Sequence, residues 1–264
     1  MDLTPHAGIP ATLEPSSLTV RFGPEILAPE PERRTSGDLK PVLYAPEAAD
    51  PADLLYTVCR GVVPRDQAEE FRRRALVYVV TVLRGGTIGG AERVRTRGHT
   101  NSTAPGTSIA YPEVHEVWAG RALLYLQGEV DTTPDDVVTI AMEEGDKAVV
   151  APGWAALMVN AGDEPLVLGT WRTADCVTEY DAVVARKGMA HFVLASTAPA
   201  GFALAPNPAY RSVPEPRTVE PRDLPDFGLK KAQPMLTSFH RNPDFLRFLA
   251  RPQDYDHVWQ SLYE

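Results

Sequence analysis

Short apolar runs separated by turn-forming pairs recur along the middle of the chain, at a spacing of roughly ten residues. The runs occupy residues 113–118, 122–127, 137–142, 148–151, 155–159, 165–171 and 191–195. The turn pairs are Gly85-Gly86, Gly89-Gly90, Ala119-Gly120, Gly145-Asp146, Pro152-Gly153 and Gly162-Asp163. Runs of this length suit strands better than helices, and glycine and proline supply the tight connections. The pattern therefore predicts an all-β sandwich or barrel.

The flanking segments differ in texture from this central part. Residues 1–50 are rich in proline and charge, which predicts an N-terminal arm packed on the barrel rather than a unit of its own. We expect the barrel to occupy residues 51–200, beginning with a strand at Leu54, a short charged helix over 65–74 and a strand over 76–83. Residues 201–264 read as a proline-rich C-terminal extension, with short helices within 242–263.

Charge and composition exclude several classes of function. The formal net charge is -9 and the pI is about 5.2, so we expect no nucleic-acid partner. The first residues carry Asp2 and Pro5 where a leader would need an apolar core, and no apolar run reaches the length of a membrane helix. We therefore expect a cytoplasmic protein without a membrane partner. Cys59 and Cys176 are expected to be ordinary core thiols.

The densest set of chemically useful side chains lies in two short stretches. His99 and Asn101 are two residues apart, and so are Glu113 and His115. On a strand, residues two apart face the same side, so each pair would point either into the barrel or into solvent. An inward orientation would bring two imidazoles and a carboxylate together in a cavity. The alternative places them on a solvent face, alternating with buried apolar neighbours such as Val114.

Several motifs then identify a family resemblance. They are Thr96-Arg97-Gly98-His99, Pro112-Glu113-Val114, Leu124-Tyr125-Leu126-Gln127, Ala151-Pro152-Gly153-Trp154-Ala155 and Val159-Asn160, with Arg33-Arg34-Thr35 in the arm. In these segments the chain resembles the cupin-type glucose-6-phosphate isomerases of archaea and some bacteria. The resemblance implies a cupin double-stranded β-barrel, or jelly roll, with an N-terminal arm and a short helical C-terminal tail. It also implies a homodimer.

The resemblance implies a divalent metal held by three histidines and a glutamate, but the chain keeps only part of that set. The positions of the first histidine and of the glutamate are His99 and Glu113. The second histidine falls on Asn101 and the last on Ala156, whose methyl group cannot bind an ion. His115 stands where the family has a tyrosine and could complete a displaced set with His99 and Glu113. We expect no cofactor, with a divalent metal at these three residues as the alternative.

The contacts that the family makes to a sugar phosphate are better kept. The matching positions are Tyr56, Thr81, Thr96, Gly98 and Tyr180, and Asn101 adds a polar group to the same cavity. Hydroxyl groups and a glycine amide can bind a phosphate without any lysine or arginine. The resemblance thus implies a small-molecule substrate in the barrel.

Three functions remain open on the sequence. The first is proton transfer or isomerisation on a sugar phosphate, with Glu113 as the base, His115 as the polarising acid and His99 beside them. The second is a repurposed, metal-free biosynthetic cupin that cyclises, dehydrates or rearranges a non-sugar molecule. The third is a ligand-binding cupin without catalysis. Retention of Glu113 favours an enzyme, because a buried carboxylate without a role destabilises the fold.

Overall fold

The computed structural model describes residues 1–130 and 133–264. Its strands are β1 (Ala11–Glu14), β2 (Thr19–Phe22), β3 (Ile26–Leu27), β4 (Glu32–Thr35), β5 (Leu54–Arg60), β6 (Val63–Pro64), β7 (Leu76–Leu83), β8 (Thr87–Ile88), β9 (Glu92–Arg93), β10 (Thr100–Asn101), β11 (Glu113–Ala119), β12 (Ala122–Gln127), β13 (Val137–Met142), β14 (Lys147–Val150), β15 (Ala155–Asn160), β16 (Leu166–Thr173), β17 (Thr178–Glu179), β18 (His191–Ala195), β19 (Phe202–Pro206) and β20 (Arg217–Thr218). The α-helices are α1 (Thr4–Ala7), α2 (Ser36–Leu39), α3 (Ala68–Arg73), α4 (Asp181–Ala185), α5 (Met235–Arg241), α6 (Arg247–Ala250) and α7 (Asp256–Trp259). Short 3₁₀ helices cover Lys40–Val42, Pro46–Ala48, Arg65–Gln67, Pro225–Phe227, Pro243–Leu246 and Pro252–Tyr255.

Two sheets form the two walls of the barrel. One has the strand order β14-β11-β16-β7-β5-β4 and the other has the order β15-β12-β13-β20. Most of these neighbours are antiparallel, as expected of a jelly roll, and β13 with β20 is a parallel pair. A third sheet, in the order β19-β18-β9-β8, packs beside them. The predicted all-β barrel is confirmed.

The strands lie close to where the alternation of residues predicts them. The bounds over 76–83, 122–127, 137–142 and 191–195 agree with the structure, and the other predicted strands differ by one or two residues at an end. The charged stretch after β6 forms a 3₁₀ turn and then α3 rather than one helix over 65–74. Helix α5 precedes the predicted helical part of the tail, because Pro234 starts a helix whose apolar face packs on the barrel.

The arm and the tail cover the outside of the barrel. Strand β4 from the arm pairs with β5, in a register that sets Arg34 opposite Tyr56. On the outer face of β16, the ring of Trp171 lies 4.6 Å from Phe71 and 5.0 Å from Phe239 of α5, measured between ring centroids. Every residue of β11, β12, β14, β15 and β16 is consequently buried. The strands that carry the site are therefore shielded on their outer faces.

A buried ion pair anchors the tail. Glu116 on the outer face of β11 accepts a hydrogen bond from Lys147 Nζ at 2.8 Å. The same carboxylate accepts hydrogen bonds from the backbone N–H of Met235 at 3.1 and 3.2 Å, and from Trp118 Nε1 at 3.3 Å. Burial raises the pKa of Glu116 to about 6, although Lys147 opposes this. The first residue of α5 is thus hydrogen-bonded to the barrel through a carboxylate that is buried away from water.

Candidate active site

Two neighbouring strands place polar side chains on the inner face of the barrel. Glu113 and His115 are two apart on β11, and Thr170 and Arg172 are two apart on β16, so both pairs face inward. The register pairs His115 with Thr170, and His115 Nδ1 lies 2.9 Å from Thr170 Oγ1. Glu113 is only 2% exposed and lines a cavity, so the solvent-face alternative does not hold.

One carboxylate oxygen joins the two predicted histidines. The Nε2 atoms of His99 and His115 each lie 3.1 Å from Glu113 Oε1. Because a carboxylate oxygen only accepts hydrogen bonds, both Nε2 atoms carry the proton. Burial by itself raises the pKa of Glu113, but the attraction of both histidines and their hydrogen bonds outweighs burial and holds that pKa well below its usual range. The cluster therefore contains an ionised glutamate at neutral pH.

The residues at the two replaced ligand positions have other partners. The backbone of Ala156 pairs with that of His99, with N···O distances of 2.9 and 3.1 Å. The methyl group of Ala156 lines the cavity. Asn101 is buried, but it does not line the cavity. Its Nδ2 donates to Tyr111 O at 3.0 Å, and its Oδ1 accepts from Arg172 Nη2 at 3.4 Å. Asn101 was expected to bind substrate, but the structure places it behind the site, supporting Arg172.

The cavity collects the other expected substrate-binding residues. Its lining includes Tyr56, Thr81, Thr96, Gly98 and Tyr180, together with the Glu113 cluster. The part of the cavity open to the centres of water molecules has a volume of about 90 Å³. This is room for several waters or a small polar ligand. Burial and the neighbouring Tyr180 raise the pKa of Tyr56 to about 12, so its phenol stays protonated and can donate to an anion.

Four arginines also line this cavity, and sequence reasoning missed them as site residues. They are Arg34, Arg60, Arg97 and Arg172. The cavity therefore offers guanidinium groups in addition to the hydroxyls and the glycine amide expected from the sequence. One sequence signal was available, since Arg34 and Arg97 both stand inside segments that carry the family resemblance.

The four arginines differ in how their charge is balanced. Arg34 and Arg60 both pair with Glu32, at 3.3 Å for Arg60. The guanidinium of Arg97 lies over the ring of Tyr180, 4.9 Å from its centroid, and its buried Nε has no hydrogen-bond partner within residues 1–130 and 133–264. Among the described residues, Arg172 donates only to uncharged groups. Arg97 and Arg172 thus give the cavity its positive character.

The residues present do not fit a divalent metal ion. Both Nε2 atoms are hydrogen-bonded to Glu113 Oε1, so in this arrangement neither presents a free lone pair on that nitrogen. No group of three or more His, Cys, Asp or Glu side chains in the described chain is arranged to hold a metal. Asn101 Oδ1 is engaged by Arg172, a cation that would repel another cation. The alternative of a metal at His99, Glu113 and His115 therefore has no support in the geometry.

The two cysteines have different surroundings. Cys59 is buried, and its thiol lies 3.0 Å from Pro29 O in the arm. Cys176 is half-buried beside the site, and its Sγ lies 2.8 Å from Arg172 Nη2. Cys176 is therefore a neighbour of the cavity rather than an ordinary core residue.

A jelly-roll barrel with a histidine and glutamate cluster on its inner wall defines the cupin class. Within that class, residues 33–201 match the model of the glucose-6-phosphate isomerase (GPI) family, and the chain belongs to that family. The glucose-6-phosphate isomerase of Pyrococcus furiosus is 31% identical over 126 residues, which are 48% of this chain and 61% of that protein. The enzyme of Thermococcus litoralis is 30% identical over 48% of this chain and 60% of its own length.

Solved structures give more distant likenesses. Oxalate decarboxylase from Bacillus subtilis is 18% identical, with a TM-score of 0.34, over 47% of this chain and 28% of that one. Vicilin from Capsicum annuum is 11% identical, with the same TM-score, over 47% of this chain and 30% of that one. No helix in the described parts of the chain is long and apolar enough to cross a membrane.

Proposed function

We propose that the protein is an enzyme that moves a proton within a small anionic substrate of the sugar-phosphate kind, bound inside the barrel. The observation that carries the proposal is the His99–Glu113–His115 cluster at the wall of a cavity that also holds Arg97 and Arg172. Family membership supports the substrate class. The matched relatives share about three fifths of their length with this chain, so the activity itself is a proposal.

Arg97, Tyr56 and Tyr180 would hold the phosphate. The buried Nε of Arg97 needs an acceptor, and the phenols of the two tyrosines can donate beside it. A phosphate bound there supplies several acceptor oxygens. The sugar carbons would then extend from this group toward Glu113.

In the reaction, Glu113 would act as the base. Its Oε1 is occupied by two imidazole N–H groups, so the proton from carbon would go to Oε2. A carboxylate of low pKa is a weak base, and proton removal from carbon therefore requires strong polarisation of the adjacent carbonyl. His99 and His115 would hold the carboxylate in position, because both of their Nε2–H groups donate to Glu113 Oε1 and His115 Nδ1 is engaged by Thr170 Oγ1.

Proton transfer can be tested without knowing the final product. We expect glucose 6-phosphate or fructose 6-phosphate, incubated in D₂O, to gain deuterium at the carbon beside the carbonyl, measured by NMR. Glu113→Gln should lower the exchange rate by about 100-fold or more. The control is Glu30→Gln, which changes an exposed glutamate of the arm. Equal exchange in Glu113→Gln and the native protein would refute Glu113 as the base.

A second candidate has its own supporting observation. Ala156 leaves space where the resemblance implies a ligand, and Arg172 adds a cation that can bind a carboxylate as well as an enediolate. The alternative is a metal-free cupin that rearranges or dehydrates a non-sugar anion. A thermal-shift panel separates the two, since stabilisation by organic acids but not by either sugar phosphate would favour the second candidate. The homodimer and the cytoplasmic location also remain proposals.

A further inference from the structure

Arg172 is a buried cation without a direct counterion. Its residue is 6% exposed on the inner face of β16. The guanidinium donates to Thr178 Oγ1 at 2.7 Å, to Asn101 Oδ1 at 3.4 Å, and to the carbonyl and thiol of Cys176 at 3.1 and 2.8 Å. Within the described residues, no carboxylate forms an ion pair with it. All of these partners are uncharged acceptors.

The nearest compensating charge is shared. Burial alone would lower the pKa of Arg172, but the attraction of Glu113 is the main effect that raises it, so the guanidinium stays charged. Glu113 also accepts hydrogen bonds from two imidazoles. A buried ion is costly unless it is paired. The inner wall therefore carries a positive guanidinium that lines the cavity and shares its balancing negative charge with two imidazoles.

The two replaced ligand positions explain how this cation is accommodated. Asn101 uses its carboxamide to brace Arg172 from behind, where a histidine would carry no carbonyl oxygen to accept this bond. Ala156 lies on a strand of the other sheet, lines the same cavity and contributes only a methyl group to it. The same changes that remove metal ligands thus support a fixed positive group.

We propose that Arg172 is the cationic centre of this site and stands in for a divalent metal ion, donating to the substrate oxygen on which negative charge develops. The inference rests on the proposed proton transfer. Of the five N–H groups of Arg172, the partners above engage one on Nη1 and both on Nη2. Within the described residues this leaves Nε–H and the second Nη1–H to donate to substrate oxygens.

The step balances without any further reactant. The C–H bond beside the carbonyl breaks, and its proton passes to the Glu113 carboxylate. The electron pair of that bond forms a carbon–carbon double bond, and the carbonyl π pair moves to oxygen, giving an enediolate that Arg172 stabilises. Return of the proton to the neighbouring carbon, with a proton shift between the two oxygens, completes an aldose–ketose exchange.

The first experiment is titration calorimetry with 5-phospho-D-arabinonate, whose planar carboxylate resembles an enediolate. We expect it to bind native protein equally well with and without EDTA. Arg172→Lys should weaken binding by about 10-fold and Arg172→Met by about 100-fold, as for a charge-assisted pair. The control Arg33→Met changes an exposed arginine of the same strand as Arg34 and should bind normally. Loss of binding in EDTA, or normal binding by Arg172→Met, would overturn the inference.

A second measurement does not depend on the substrate class. Native protein, purified without a polyhistidine tag, should show no stoichiometric binding of Ni²⁺, Mn²⁺ or Zn²⁺ by calorimetry. Arg172→Met should bind at least one of these ions measurably under the same conditions, because a repelling cation beside Glu113 has been removed. Tight metal binding by native protein, or no gain in Arg172→Met, refutes the inference. Circular dichroism of Arg172→Met and of Arg172→Lys, which keeps the charge, monitors the folding of both variants.

The two measurements distinguish the possible failures. If the phosphoarabinonate does not bind native protein and the metal titration behaves as expected, the sugar-phosphate proposal fails and the role of Arg172 as metal substitute stands. If the analogue binds and native protein also needs a metal, the substrate class stands and the role of Arg172 fails.

Discussion

Replacing Lys147 by methionine tests whether the tail is folded as part of the barrel. The change keeps the length of the side chain and removes the ammonium that pairs with Glu116, which is 0% exposed. The carboxylate then keeps only the Met235 N–H and the Trp118 indole. A buried charge left without its partner typically costs about 3–5 kcal/mol of unfolding free energy.

The loss of unfolding free energy has an upper limit that depends on pH, because the Glu116 carboxylate can become neutral by taking up a proton. The ordinary pKa is 4.5, so holding the group protonated at pH 8 spans 3.5 pH units, or about 5 kcal/mol. In the native protein the pKa is already about 6, which accounts for about 2 kcal/mol of that amount. The extra loss in Lys147→Met at pH 8 is therefore at most about 3 kcal/mol.

The sign follows from the direction of the shift. A carboxyl group whose pKa is raised by folding does not lower the unfolding free energy at pH values below its unfolded-state pKa. The unfolding free energy falls as the pH rises past that value and through the folded-state pKa. At pH 5 we therefore expect Lys147→Met to lose only about 1 kcal/mol, from packing and hydrogen bonds. At pH 8 the charge effect should lower its melting temperature further, by at most about 6–12 °C, given about 2–4 °C per kcal/mol for a chain of this size.

The assay is differential scanning calorimetry of both proteins at pH 5 and pH 8. Lys40→Met is the matched control, because Lys40 pairs with Glu47 and the two side chains are 54% and 84% exposed. That pair should contribute less than about 1 kcal/mol at either pH. An equal loss in Lys147→Met at both pH values, or a loss no larger than that of Lys40→Met, would show that the buried carboxylate does not respond as argued.

Three further variants probe the cavity. Arg97→Met should weaken binding of fructose 6-phosphate by about 10-fold in calorimetry, because the acceptor-seeking Nε is lost, and unchanged affinity would contradict this assignment. Gly98→Ala puts a side chain at φ +82°, with new contacts of 3.4 Å to neighbouring side chains, and should lower stability by about 1–2 kcal/mol in urea denaturation; a smaller loss would mean that the backbone relaxes there. Asn101→His with Ala156→His should create Ni²⁺ binding in calorimetry only when Arg172 is replaced as well, and binding with Arg172 present would argue against its repulsive role.

The strand pattern was predictable because the strands of the barrel are short and most of them are bounded by glycine or proline turns. The cavity residues on β11 were predictable for a similar reason, since a spacing of two places Glu113 and His115 on one face. Alternation could not say which face is inward, because the outer face is also buried: Glu116 and Trp171 lie beneath the tail. That orientation depends on long-range packing, which a single sequence does not display.

The arginines escaped prediction for a different reason. Arg172 follows Trp171 in a strand that reads as uniformly buried, and a charged residue there is read as the end of the strand. Its significance depends on Asn101, which is 71 residues away in sequence and supplies the bracing carbonyl oxygen. Arg34 lies in the arm, and it lines the cavity only because β4 pairs with β5. Contacts between such distant segments carry no local periodicity.

The charge of the whole chain and the charge of its cavity have opposite signs, and this bears on how an anion would reach the site. With a formal net charge of -9, the surface repels anions at long range, so electrostatic steering cannot supply affinity. Attraction must come from Arg97, which is half-buried, and from Arg172, which is 6% exposed. Interactions between buried groups are screened much less than those at the surface. Affinity for a phosphorylated ligand should consequently depend on the few hydrogen bonds inside the barrel, which is where selectivity between a sugar phosphate and another anion would be decided.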